Sequence, residues 1–119
     1  MSIEYTHEMT VGWRMRQSDI PDYEERAWDD WADLEELAKE ASELLGKGVW
    51  TDSLCAIEDA CSGDTQIIGV PMPYNMLPID RLPEVTERLA ALAKDVYRQV
   101  MRGKEPADGP YLISWTQAM

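Results

Sequence analysis

Phenylalanine is absent from the 119 residues, histidine occurs once, and cysteine occurs twice. Basic residues are scarce as well: 11 stand against 23 acids, a formal net charge of −12. Each scarcity removes a class of reading. His7, Cys55 and Cys61 supply too few ligands for a Cys/His zinc site. His7 falls on the apolar side of an alternating tract, where a core or sheet-edge histidine is expected and not a catalytic base. On one continuous helix Cys55 and Cys61 would point in different directions, a poor geometry for a bridge. They read as reduced cysteines, which suits the cytoplasm. The shortage of bases argues against direct binding to DNA, RNA or an anionic membrane, each of which needs a basic surface. No run approaches the roughly 20 apolar residues of a membrane helix. The stretch Met1–Tyr5 lacks the basic region and apolar run of a signal peptide. A G-x-S-x-G elbow, a P-loop and a dinucleotide glycine fingerprint are all missing. The expectation is a protein that is no enzyme, with no cofactor and no metal.

Five Trp, five Tyr and seven Met carry the large apolar volume instead. The length fits one domain over residues 1–119 and suffices for a core without disulfide staples. Ile3, Tyr5, His7, Met9, Val11, Trp13 and Met15 alternate with polar residues and Gly12, predicting a strand over 3–16 with one buried face. Gly12 predicts a bend or bulge in a strand of that length. Asp22 or Asp19 can cap a helix over 23–45, with Pro21 suited to its first turn. Its stripe of Ala27, Trp31, Leu34, Ala38, Ala41 and Leu45 steps by three and four, and Gly46 and Gly48 stop it. Thr51 or Asp52 caps a shorter helix whose inner face is Leu54, Ile57 and Cys61. Gln66–Val70 is β-branched and bounded by breakers, which predicts a strand. Three prolines in residues 71–78 exclude regular structure there. Val85, Leu89, Leu92, Val96 and Val100 form the stripe of a third helix over about 83–102, ended by Gly103. Tyr111–Thr116 reads as a closing strand.

The order β-α-α-β-α-β, three strands and three helices, defines an α+β or small α/β domain. The last two strands suit a right-handed parallel crossover through the third helix. The first strand can pair with either.

The charge is not spread evenly. Residues 1–64 carry 17 acids and 5 bases, whereas residues 65–119 carry 6 of each. All of the excess therefore lies in the first half. Asp22, Glu25, Asp29, Asp33, Glu36, Glu40 and Glu43 step by three and four, which on a helix makes one row about 30 Å long. Neighbouring carboxylates would stand about 5–6 Å apart, comparable to phosphates along a duplex groove. A solvated outer face accounts for such a row too, but interspersed lysines would serve solubility equally well, as in the third helix. Large single-sign fields usually steer a partner. Trp28, flanked by acids, and Met72, Tyr74 and Met76 on the proline loop would supply desolvated anchors. Folding back of the loop side chains onto the core is the competing expectation.

In size and charge alone the chain resembles small anti-CRISPR and antirestriction inhibitors from phages or mobile elements. That resemblance implies a basic, nucleic-acid-binding protein as partner, blocked by nucleic-acid mimicry. An immunity protein on a basic nuclease toxin would use the same physics. A third reading is a homodimeric adaptor without enzymatic function, paired through the near-heptad seam of Ala27–Leu45.

Overall fold

The computed structural model describes residues 5–25, 34–57, 65–72 and 77–118. The alternating N-terminal tract forms strand β1 over Tyr5–Arg16. It is central, pairing antiparallel with β3 (Thr65–Pro71) on one side and with β4 (Tyr111–Ala118) on the other. A short strand β2 (Cys55–Ile57) pairs antiparallel with β3, so the sheet order is β2-β3-β1-β4. Helices α1 (Glu35–Leu45), α2 (Thr51–Leu54) and α3 (Leu82–Val100) complete an α+β domain.

Four strands stand among the described residues where three were expected. The added one is β2, cut from the expected second helix, which closes after Leu54. Only the pairing of Cys55–Ile57 with Gln66–Ile68 makes it a strand, and that contact is invisible locally. The expected crossover is realised in modified form. Both β3 and β4 run antiparallel to β1, so they run parallel to each other, with α3 between them in sequence and β1 between them in the sheet.

A larger correction concerns the first helix. Asp22 is left-handed with φ of 53°, and Tyr23–Glu25 is a single 3-10 turn. The α-helix starts only at Glu35, after Leu34. Asp22 therefore does not open it, and a seven-acid row on one uninterrupted helix from residue 22 is not formed. Residues 26–33, which hold Trp28, Asp29, Trp31 and Asp33, lie outside the described residues, as do 58–64 and 73–76.

The third helix follows its expected stripe closely. Val85, Leu89, Leu92, Val96 and Val100 are all buried, in one core with Val11, Trp13, Ile68 and Val70 of the sheet. Each such aliphatic side chain contributes about 1.5–3 kcal/mol on full burial. Pro83 sits in the first turn, where its missing N–H costs nothing. At the other end Arg102 takes the left-handed position, φ 52°, and the N–H of Gly103 donates to the carbonyl of Arg98. Leu34, which precedes α1, and Ala38 and Ala41 of α1 join the same core. Within the expected seam, Leu34, Ala38 and Ala41 are thus covered within the chain, and Ala27 and Trp31 lie outside the described residues.

The strand was expected to bury one face and buries both. Thr10, on the nominally polar side, is 1% exposed and its Oγ1 accepts from Trp115 Nε1 at 2.9 Å. Ala56, Ile67, Ile113 and Trp115 form a second, smaller cluster on this side. Its members come from β2, β3 and β4, so it spans the sheet from edge to edge. No residue is inserted at Gly12: the β1–β3 ladder keeps one register through it, and the β1–β4 ladder keeps one register up to it.

Candidate partner-binding surface

Helix α1 opens with Glu35 and Glu36, which its dipole favours at that end. Glu35, Glu36, Lys39, Glu40 and Glu43 are all exposed. Glu36, Glu40 and Glu43 step by four and three, so they share one side with about 5–6 Å between neighbours. Among the described residues, no basic side chain makes an ion pair with any of the three. The helix that carries them is fixed from beneath by Ala38 and Ala41, and at its end by Gly46, whose N–H donates to Ser42. Ser42 Oγ in turn receives the N–H of Val49 at 2.8 Å, closing the turn after the helix. A rigid platform therefore presents three unneutralised carboxylates.

An open groove of about 430 Å³ lies between α1 and α3. Glu40, Glu43 and Leu44 line one wall, and Arg88, Ala91, Leu92 and Asp95 the other. The contribution of α3 was not foreseen, because nothing local places Arg88 and Asp95 beside the acidic helix. Three acids and one base keep the groove negative.

The other expected site residues are placed as follows. Asp22 is exposed but faces Arg102, with 3.7 Å from Nε to Oδ2, so it belongs to a different surface feature from α1. Glu25 ends the 3-10 turn and is not on α1. Met72 is half-buried against the main core and its backbone bridges two elements: its N–H donates to Met9 and its carbonyl accepts from Lys47 Nζ at 3.1 Å. Met72 thus folds back as a core cap and is no outward anchor. Trp28, Asp29, Asp33, Tyr74 and Met76 lie outside the described residues.

Trp50 was missed. It is 73% exposed on the rim of a cleft of about 200 Å³ whose walls include Glu8, Thr10, Lys47, Asp52 and Trp115. The available signal was negative: Trp50 follows Gly48 and belongs to no periodic stripe. Burial pulls the Lys47 ammonium below its ordinary pKa, opposed by the charge of Glu8. On the opposite face Gln66 is 2% exposed and bonded twice, donating to Tyr23 Oη at 2.9 Å and accepting from the Cys55 thiol at 3.4 Å. Burial chiefly, with the Cys55 sulfur adding, holds the Tyr23 phenol above its ordinary pKa. This network is structural, tying the 3-10 turn to the sheet. Among the described residues no cluster of three or more His, Cys, Asp or Glu could hold a metal ion, and no helix is long and apolar enough to cross a membrane.

Fold and surface together define a class: a small α+β domain with a four-stranded antiparallel sheet and an exposed acidic helix. No protein-family model matches the chain, and neither a curated protein nor a solved structure matches it.

Proposed function

We propose that this protein is a small acidic binding protein that docks on a basic, nucleic-acid-binding surface of a target protein and occupies it in place of nucleic acid. Its setting would be the cytoplasm, and its type that of inhibitors carried by phages and mobile elements. The observation that carries the reading is the trio Glu36, Glu40 and Glu43, exposed on one side of a buried-footed helix and unpaired with any described base. A row of carboxylates at that spacing speeds encounter with a basic surface and sets its orientation. Trp50, an exposed aromatic in the same acidic half, has the character of an interfacial anchor.

The test uses the full chain as immobilised bait beside a Glu36→Lys/Glu40→Lys/Glu43→Lys variant. Basic nucleic-acid-binding proteins should be retained by the native chain, released by salt and displaced by duplex DNA. The variant should lose them. Equal retention by the variant, or indifference to competing DNA, would overturn the reading.

A further inference from the structure

The carbonyl of Met9 accepts from the N–H of Met72, continuing the β1–β3 ladder. Backbone groups of a strand alternate in direction, so odd residues of β1 turn theirs toward β3 and even residues toward β4. Thr10 and Gly12 therefore bond Ile113 and Tyr111. It follows that Leu112, Ser114, Thr116 and Ala118 turn their N–H and C=O groups away from the sheet, along its outer edge.

That edge is unusually open. Strands average five or six residues, and β4 has eight. Natural edges are blunted by charges, prolines, bulges or brevity. The tract Tyr111–Ala118 contains no charged residue and no proline, and its ladder with β1 has no bulge. Leu112 is 60% exposed, and Tyr111 and Met9 are large, exposed apolar side chains nearby. Among the described residues only Arg14 reaches an outward group, its Nη2 donating to the Ser114 carbonyl across a long 3.4 Å.

We propose that the outer edge of β4 pairs antiparallel, about a two-fold axis, with the same edge of a second copy of this chain. Charge selects that occupant. The tract Tyr111–Ala118 carries no charge, so the seam itself is neutral, while the excess of −12 in each copy lies in residues 1–64. A basic protein would be drawn to the acidic half instead. A neutral strand that is its own antiparallel complement suits an isologous contact. In such a pair Ser114 lies near the axis, and a strand N–H from the partner replaces the weak contact of Arg14.

Sedimentation equilibrium of the full chain, at rising concentration and salt, tests this. The expected mass is twice that of the monomer. Association should strengthen with salt, because screening relieves repulsion between the acidic halves; docking on a basic target weakens with salt, so the two proposals fail separately. Leu112→Lys changes a side chain already in solvent, and Thr116→Pro removes an outward N–H that β1 does not use. Each should raise the dimer dissociation constant at least roughly tenfold while the circular dichroism stays native. If Thr116→Pro does not fold, Leu112→Lys decides alone. A monomeric native chain under all conditions, or a folded variant that keeps the doubled mass, would overturn the proposal.

Discussion

Gly12 of β1 and Gly69 of β3 occupy each other's side-chain space. A Cβ built on Gly12 would lie 1.9 Å from the carbonyl oxygen of Ile68, and one built on Gly69 would lie 2.2 Å from that of Val11. The two strands pair directly at this point. Both obstacles are backbone, which cannot swing away as a side chain could. Gly69 also holds φ of +155°, a conformation other residues rarely adopt.

Gly12→Ala and Gly69→Ala should therefore each destabilise the domain by about 2–4 kcal/mol, from overpacking with added backbone strain at Gly69. Urea unfolding followed by circular dichroism measures this. A loss below about 0.5 kcal/mol, the range of ordinary surface changes, would show that the strands can separate locally at no cost.

Trp115 Nε1 donates to Thr10 Oγ1 within the face of the sheet that carries the second cluster. Trp115→Phe keeps the ring volume roughly but leaves the Thr10 hydroxyl buried without its donor, at a cost of about 1–3 kcal/mol. The double change with Thr10→Val should recover part of that loss, since neither polar group then remains. Trp50→Ala, at an exposed ring, should change stability by less than about 0.5 kcal/mol. Denaturant titration of the three variants checks the contrast.

On α1, Glu40→Gln should leave stability unchanged or raise it by a few tenths of a kcal/mol, because it relieves i, i+4 repulsion with Glu36, whereas Glu36→Gln also gives up the favourable helix dipole and should lower stability by less than about 1 kcal/mol. Affinity for a basic target should fall for the same variants, and the dependence of binding on salt should become shallower. Calorimetry at several salt concentrations against an identified target would show both. Unchanged affinity would assign the row to solvation alone.

Alkaline pH should act through Tyr23. Its folded pKa is raised, chiefly by burial, so the phenol holds its proton more tightly in the folded state. The resulting stability is fully present below the unfolded tyrosine value of about 10 and is lost as pH rises through the higher folded value. Lys47 works in the opposite sense. Its folded pKa is lowered by burial, so its penalty is present at neutral pH and is relieved as the pH climbs past the folded value toward the unfolded one. Tyr23→Phe should therefore flatten the alkaline fall in melting temperature. An identical alkaline profile would dissociate Tyr23 from it.

What was legible in the chain was whatever depends on local period. The stripe of α3, the alternation of β1 and the β-branched run of β3 all follow from single segments. The failures share one cause, contacts distant in sequence. Cys55–Ile57 looks helical in isolation, and only Gln66–Ile68 makes it a strand. The three-and-four spacing continues back to Ala27, yet the backbone at Asp22–Glu25 turns elsewhere, where Arg102 meets Asp22 and Gln66 meets Tyr23. Thr10 reads as a solvent residue until Trp115, 105 positions later, covers it. The acidic side of α1 was visible as a pattern. Its groove with Arg88 and Asp95 was not, because it is made by helix packing.

The central place of β1 has a consequence for how the chain is made. Of the four described strands, β1 is synthesised first, and it pairs with β3 and with β4, the last of the four. The row of hydrogen-bonding groups facing β3 is answered once residue 71 is made, whereas the row facing β4 must wait for residues 111–118. Loop closure over such separations is slow, and unpaired strand exposed meanwhile invites association with other chains. The heavy negative charge of residues 1–64, synthesised while β1 still waits, would keep nascent copies apart through that interval.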